Sequence, residues 1–193
     1  LEGYSPTTIW AVRSLGIDPA TGQEKFLKWG DTQTFTWSAL DKARAGDASP
    51  DWSGSFGSTF SLKNISAGVY FNYQLGSEVY NQTLADKVEN ADLTYNVDKR
   101  AASDRWTQPG DNALYKKLSA NGLATSPTYV TTRFVESNDF LNCSAISASY
   151  SFSQHIVEKI RAKNLKLGFI ANNVFRSGNQ NNERGIYYPF HRM

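Results

Sequence analysis

Few side chains in this sequence have the types and spacing that enzymatic chemistry requires. The two histidines, His155 and His191, are far apart, and no group of histidines, carboxylates and cysteines has the spacing of a metal site. The sequence also contains no glycine-rich phosphate loop, nucleophile elbow or catalytic pair of carboxylates. The single cysteine, Cys143, cannot form an internal disulfide and is expected to be a small buried side chain. The sequence therefore predicts a protein that is not an enzyme, with no catalytic residues, metal or cofactor.

Binding chemistry is better represented, in a long polar segment within residues 76–143. Aromatic rings there offer stacking faces, and amide and guanidinium groups offer hydrogen bonds, a combination suited to sugars or peptides. The candidate binding residues are Tyr95, Arg105, Trp106, Asn112, Tyr115 and Tyr129. The alternative is that these side chains pack the small core of the loop or the cap of a partner protein, which is the more common role of such residues.

Composition indicates the class of fold that positions these residues. The chain has 193 residues, with 20 basic and 18 acidic side chains and a net charge of +2, which argues against a nucleic-acid partner. Its 14 glycines, 10 tyrosines, 11 phenylalanines and 5 tryptophans favour β structure. No apolar run approaches the roughly 20 residues of a membrane helix, but strands that face lipid on one side only are half polar. We therefore predict an all-β fold.

Five segments alternate apolar and polar side chains with the period of a β-strand. They cover residues 7–16, 54–62, 67–75, 144–152 and 165–175. Each has about 9 to 11 residues, which lets a tilted strand cross the apolar band of an outer membrane, whereas strands of globular proteins commonly have about 5 to 6. The polar faces carry Ser, Thr, Gly, Asn and Gln, as a water-filled lumen requires. Length and composition both favour membrane-spanning strands.

Short and long connections alternate between these strands. The short ones are a tight hairpin at residues 63–65 and a compact link at 153–164, which contains a short helix over residues 155–162. The long ones, expected to be external loops, cover residues 17–53, 76–143 and 176–190. Short helices are expected at 83–89 and 112–119. This asymmetry is typical of an antiparallel up-and-down transmembrane β-barrel, and because five strands cannot close one, further strands must precede them.

Several motifs occur in the order found in the C-terminal third of the barrel of SusC/RagA-type TonB-dependent receptors, which this sequence resembles. They are Gly16-Ile17-Asp18-Pro19-Ala20-Thr21-Gly22, Gly54-Ser55-Phe56-Gly57-Ser58-Thr59-Phe60-Ser61-Leu62-Lys63-Asn64, Gly76-Ser77-Glu78-Val79-Tyr80-Asn81, Arg133-Phe134-Val135-Glu136-Ser137-Asn138-Asp139-Phe140-Leu141, Ile170-Ala171-Asn172-Asn173-Val174-Phe175 and Tyr188-Pro189. Two departures occur. Asn138-Asp139-Phe140 replaces the commoner Gly-Ser-Tyr, and the sequence stops at Met193 without the family's final strand, so we expect a fragment.

The resemblance implies a location, a function and partners. It implies about five strands of a larger barrel of about 22 strands in the outer membrane of a Gram-negative bacterium, in contact with outer-membrane lipid. It further implies uptake of glycans or peptides together with a SusD-like surface lipoprotein that lids the barrel, driven by TonB through an N-terminal region absent from this chain. Receptor–lipoprotein pairs are expected to form a dimer.

The competing hypothesis is a soluble β-sandwich that binds carbohydrate or protein through the same aromatic residues. A sandwich would bury the apolar face that carries Phe56, Val69, Phe71 and Phe169 in its own core. A barrel would leave that face in contact with lipid. The environment of these four side chains therefore separates the two hypotheses.

Overall fold

The computed structural model describes residues 3–92, 94–118 and 128–178. The strands in those residues are Thr8–Ile17 (β1), Glu24–Leu27 (β2), Gln33–Thr34 (β3), Lys42–Asp47 (β4), Trp52–Leu62 (β5), Ile65–Leu75 (β6), Glu78–Tyr80 (β7), Val135–Ser137 (β8), Phe140–Ser151 (β9) and Lys166–Gly178 (β10). The α-helices are Gln82–Leu84 (α1), Arg100–Ser103 (α2) and Gln154–Lys159 (α3), and a π-helical turn, Ala85–Glu89, follows α1. The strands pair in antiparallel fashion, so the prediction of an all-β chain with an antiparallel sheet is confirmed.

The chain divides into two compact units. Unit 1 contains residues 3–49, 78–92, 94–118 and 128–137, and unit 2 contains residues 50–77 and 138–178. Unit 1 has a sheet of strand order β3-β2-β1-β4 and a two-stranded ribbon of β7 and β8, and unit 2 has a sheet of order β10-β9-β6-β5. The sequence predicted β1 as the first of five consecutive long strands. Instead, the strand partners of β1 among the described residues are β2 and β4.

The sheet of unit 2 has one apolar and one polar face. Its strands are 11, 11, 12 and 13 residues long, and their register places Phe56 opposite Phe71, and Ser55 opposite Asn72. Because side chains alternate along a strand, this register gathers most of the apolar residues of the four strands on one side. The predicted division of these residues between two faces is confirmed by the register.

The connection between β5 and β6 is tighter than the sequence indicated. Each strand begins two residues earlier than predicted and ends at the predicted residue, so only Lys63 and Asn64 lie between them. Lys63 has a φ of +50°. The Asn64 amide donates to the Ser151 carbonyl at 2.6 Å, and the Asn64 carbonyl accepts from the Ser151 amide at 2.8 Å. These bonds attach the hairpin to the end of β9.

A β-bulge in β9 explains why the predicted strand 144–152 is too short. Tyr70 pairs with Ala145, whereas the next residue, Phe71, pairs with Cys143, so Ser144 is the extra residue. A bulge shifts the alternation by one residue, and a period-2 pattern therefore ends there although the strand continues to Phe140. On the other side of β9, the register with β10 shifts between Asn172 and Phe175.

Residues 17–53 are not the single long loop that the sequence predicted, because β2, β3 and β4 lie within them. Strand β4 reads Lys-Ala-Arg-Ala-Gly-Asp and has no large apolar side chain, so its pattern carries no strand signal. Its backbone pairs with β1 from Thr8 opposite Asp47 to Val12 opposite Lys42. Backbone pairing with a neighbouring strand is sufficient to hold it extended.

The segment 76–143 also contains more regular structure than predicted. A helical segment does cover residues 82–89, as α1 and the π-helical turn, and α3 lies within the predicted link between β9 and β10. The helix expected at 112–119 is absent from its described part, residues 112–118. Tyr115 instead pairs with Arg105 in an isolated bridge, and the Trp106 amide donates to the Tyr115 carbonyl at 3.0 Å. This extended pairing replaces the helix.

Two further predictions concern the end of the chain. Residues 176–178 of the expected loop 176–190 belong to β10, and the remainder of that loop, with Tyr188-Pro189 and His191, lies outside the described residues. In the part of the chain that the structure describes, no helix is both long and apolar enough to cross a membrane.

Candidate functional site

The described residues between β7 and β8 fold around a small apolar core in unit 1. The Asn81 side chain accepts a hydrogen bond from the Leu84 amide at 2.9 Å and so caps α1, which starts the helical segment. The buried core residues are Ala85, Val88, Ala91, Ala101, Tyr115 and Phe134. Tyr80 packs edge-on against Phe134, with ring centroids 6.1 Å apart. This core gives the segment a defined shape despite its many turn-forming residues.

Arg133 connects the sheet of unit 1 to this core through two buried carboxylates. Its guanidinium donates to the Glu24 carboxylate of β2 at 3.2 and 3.1 Å, and to the Glu89 carboxylate of the π-helical turn at 3.3 and 2.8 Å. Glu24 is 3% exposed and Glu89 is fully buried. Paired, charge-assisted hydrogen bonds of this kind are the strong ones in proteins. Neither glutamate is predicted as a site residue from the sequence, since nothing in their spacing marks them as partners.

The electrostatics of this network keep Arg133 charged. Burial would lower the pKa of Arg133, but Glu89 and Glu24 more than offset that effect and raise it. Burial lowers the pKa of Lys116, whose Nζ lies 4.0 Å from Glu89, and the Glu89 charge opposes the shift. At the edge of the same region, hydrogen bonds from Arg100 lower the pKa of Asp98 to about 2. Asp98 and Arg133 are therefore ionised at neutral pH.

A cleft of about 900 Å³ opens beside the network within unit 1. Its apolar surface includes Ile17, Leu84 and Phe134. Its charged residues, which have both signs, are Asp98, Lys99, Arg100, Asp104, Arg133 and Glu136. None of its lining residues is a histidine, cysteine or serine. Within the described ranges, no cluster of three or more His, Cys, Asp or Glu could hold a metal ion.

The structure places two of the six predicted binding residues in the core. Arg105 is 4% exposed, and its guanidinium donates to the carbonyls of Ala101, Lys116, Val88 and Glu89 at 2.6 to 2.9 Å. Tyr115 is 6% exposed. Both side chains therefore serve the internal packing given above as the alternative, although Tyr115 also borders the cleft of about 900 Å³ and Arg105 borders a smaller cleft of about 470 Å³.

The other four predicted residues lie at the surface but not in one cluster. Trp106 packs on Gly22 and donates from Nε1 to the Pro19 carbonyl at 2.8 Å. Asn112 lines a smaller cleft of about 470 Å³. Tyr95 is 75% exposed, and Tyr129 is 55% exposed. The structure therefore brings no pair of these four into one binding site.

Tyr129 has an aromatic partner that the sequence analysis did not select. Its ring stacks on Trp37 with centroids 4.5 Å apart, and the Lys42 Nζ lies 6.0 Å from the centroid of the Trp37 ring. The Trp37 Nε1 donates to the Val130 carbonyl at 3.3 Å, which holds the segment of Tyr129 against the loop after β3. Trp37 was missed because it lies in residues 17–53, which the sequence analysis treated as a plain loop.

In unit 2, the apolar face of the sheet is an exposed surface. Phe56, Phe60 and Phe169 are 54%, 62% and 64% exposed, respectively. Phe71 and Phe175 are the register neighbours of Cys143, and their rings meet with centroids 6.2 Å apart. Cys143 is fully buried. Exposed aromatic and aliphatic groups over four long strands form one apolar surface, and large surfaces of this kind mark sites of contact with lipid or with protein.

Comparison with known proteins relates this fold to one importer. No family model and no curated protein matches the sequence. The structure is similar to a chain of the RagAB peptide importer in its closed-closed state, with a TM-score of 0.74 and 20% identity over 90% of this chain and 20% of that chain. It is similar to a chain of the same importer in its open-open state, with a TM-score of 0.74 and 19% identity over 92% of this chain and 19% of that chain. It is also similar to a chain of the RagAB peptide transporter, with a TM-score of 0.72 and 20% identity over 88% of this chain and 19% of that chain. The chain therefore spans about a fifth of the structures that it matches. The likeness establishes the fold, and it confirms at that level the resemblance read from the sequence motifs.

Proposed function

We propose that this chain forms part of the barrel wall and the external loops of a SusC/RagA-type TonB-dependent receptor in the outer membrane of a Gram-negative bacterium. The whole receptor imports glycans or peptides together with a SusD-like surface lipoprotein and has no enzymatic activity. The chain supplies the four long strands of unit 2 to a barrel of about 22 strands, and the other strands come from the remainder of the receptor. Its fold, shared with about a fifth of the RagAB importer chains, supports this proposal.

The observation that carries the proposal is the exposed apolar face of unit 2. At about 3.3 Å per residue and a tilt of about 45°, a strand of 11 residues rises about 26 Å, close to the roughly 25 Å apolar band of an outer membrane. The face bears aromatic and aliphatic side chains along this whole length, and the opposite face bears hydroxyls and amides. One lipid-facing and one water-facing side is the arrangement that a barrel strand requires.

The loops of unit 1 are the parts that we assign to partners. Tyr95, Trp106, Asn112 and Tyr129 are proposed to contact the substrate or the lipoprotein lid, because their side chains reach the surface. Arg105 and Tyr115 are left out of this set because they are buried. TonB would act through the N-terminal region of the receptor, and two receptor–lipoprotein pairs would form the dimer.

Site-directed spin labels in the full-length receptor in bilayers test the proposal. Labels replacing Phe56, Val69, Phe71 and Phe169, one at a time, are expected to show high accessibility to oxygen, which partitions into lipid. Labels at Ser55, Asn72 and Ser147 are expected to show accessibility to a water-soluble relaxation agent. The two sets lie on opposite faces of the same sheet, so each is the matched control for the other. If the first set is inaccessible to both reagents, its face is packed in a protein core, and the soluble sandwich replaces the barrel.

A further inference from the structure

Tyr70 is the aromatic side chain in the middle of the polar face of unit 2. It lies on β6 between Gly68 and Asn72, on the side of the sheet opposite to Val69 and Phe71. Its side chain is 45% exposed. An exposed aromatic ring at the centre of a surface made of small polar residues differs from the aromatics of the other face, which lie among apolar neighbours.

Two glycines, which have no side chains, leave room for this ring to pack against the backbone of the sheet. Gly57 is the register partner of Tyr70 on β5, and a Cβ atom there would overlap the ring. A Cβ at Gly68 would lie 3.4 Å from the ring carbon Cε2. The phenolic oxygen lies 3.0 Å from the Thr59 Oγ1, at the diagonal position on β5. The ring therefore lies along the sheet with one face toward the backbone and the other toward solvent.

The surroundings of the ring are mostly polar and carry no charge. The residues nearest to it on this face, from the register of the four strands, are Ser55, Thr59, Asn72, Ala145, Ser147, Ile170 and Asn172, of which Ile170 is the one large apolar side chain. The charged side chains of this face within the described strands are Lys166 and Arg176, and they lie near its two ends. The central part thus offers one aromatic plane, several hydroxyl and amide groups, and no formal charge.

We propose that Tyr70 is a stacking site for one ring of a neutral oligosaccharide. The C–H groups on one side of a pyranose carry weak positive charge and match the negative face of an aromatic ring, while the sugar hydroxyls match the amides and hydroxyls around it. A charged ligand would lose bound water when it contacts Tyr70, and no opposite charge lies near Tyr70 to compensate for that cost. The inference rests on the proposed function, since it requires the polar face to line the lumen, and it names the substrate class as a glycan.

Binding measurements on the full-length receptor with its lipoprotein, in lipid nanodiscs, test the site. The probe is an array of neutral oligosaccharides, followed by calorimetry with the best-bound member. Tyr70→Ala is expected to weaken binding by about tenfold, because the stacking contact is removed. Tyr70→Phe keeps the ring and is expected to bind within about threefold of the wild type. Tyr73→Ala, on the opposite face of the same strand, is the control and is expected to bind as the wild type does.

A second variant separates loss of the site from loss of the fold. Gly57→Ala keeps Tyr70 but places a methyl group where the ring lies, so it is expected to reduce binding as Tyr70→Ala does. Equal binding by wild type and Tyr70→Ala, or binding of charged peptides with no neutral glycan bound, would overturn the proposal. If a spin label at Asn72 is accessible to water but Tyr70→Ala binds the glycan as the wild type does, the Tyr70 site is wrong and the proposed function is not affected. A lipid-exposed label at Asn72 overturns the proposed function as well.

Discussion

Replacing Arg133 by methionine is expected to unfold the core of unit 1 locally. Arg133 lies between Glu24 and Glu89 and gives each of them two hydrogen bonds. Methionine has a similar length but no charge and no donor. The substitution therefore leaves two carboxylates, exposed by 3% and 0%, without their main partner.

The expected cost follows from that burial. Removing one partner of a buried ion pair typically destabilises a protein by about 3 to 5 kcal/mol, because the other charge stays buried. The Arg133 side chain is only 14% exposed, so solvent does not screen the pair as it does at a surface. Each carboxylate retains a weaker partner, since the Ser14 hydroxyl lies 2.7 Å from Glu24 and the Lys116 Nζ lies 4.0 Å from Glu89. These contacts favour the lower end, about 3 kcal/mol.

Hydrogen exchange measured by mass spectrometry can resolve this change within the full-length protein. Amides of residues 82–89 and 100–105 belong to the core that Arg133 holds, and their protection should fall by about a hundredfold, the equivalent of about 3 kcal/mol. Amides of β6 lie in unit 2 and serve as the internal reference, with no change expected. Loss of protection in one unit only would indicate local unfolding.

A double variant tests the cause. In Arg133→Met with Glu89→Gln, one of the two unpaired charges is removed, so protection should recover part of the loss. The reasoning is refuted if Arg133→Met changes protection of residues 82–89 by less than about fivefold. It is also refuted if the double variant is no better protected than the single variant, since the cost would then come from lost packing and not from unpaired charge.

Two further predictions concern Tyr80 and Gly22. Burial, together with the negative charges of Asp86 and Glu24, raises the pKa of Tyr80 to about 12, above the usual 10. As the pH rises, the unfolded chain therefore loses the Tyr80 proton before the folded chain does. The free energy of unfolding should be independent of Tyr80 below pH 10 and should fall between pH 10 and 12. Tyrosinate absorbance measures the titration, and Tyr80→Phe should not show this fall. Gly22 has φ +68° and a Cβ there would lie 2.5 Å from Trp106, whereas Gly30 has φ +85° and open space around it. Both alanine variants should lose about 1 to 2 kcal/mol to backbone strain, but only Gly22→Ala should also shift the fluorescence of Trp106, and equal spectra would refute the contact.

The long strands of unit 2 were predictable because one physical pattern repeats in them. A sheet that separates apolar from polar surroundings must alternate its side chains, and β5, β6, β9 and β10 do so for most of their length. The pattern is interrupted at Ser144 of β9 and between Asn172 and Phe175 of β10, where register shifts change the alternation. A bulge cannot be recognised from one strand alone, because it is defined by the pairing with the neighbour.

The structure of unit 1 could not be derived in the same way. Strand β4 has no apolar alternation, and its extended form depends on pairing with β1. The partners in the buried network are 44 and 109 residues apart in sequence, from Arg133 to Glu89 and to Glu24, respectively. Contacts at such separations follow from the tertiary fold. Arg105 and Tyr115 were selected as ligand contacts for the same reason, because polar and aromatic groups suit a buried network as well as a binding site.

The motif that begins at Arg133, which resembles one in SusC/RagA-type receptors, has structural roles inside unit 1. Arg133 holds Glu24 and Glu89, Phe134 is 1% exposed in the core, and the Glu136 carboxylate accepts a hydrogen bond from the Asn81 amide at 3.2 Å. Every one of these roles is internal to unit 1. A sequence that keeps this motif keeps the anchor of its loop core, whatever ligand the loops bind. The motif therefore predicts the fold, whereas the substrate has to be inferred from surfaces such as the one around Tyr70.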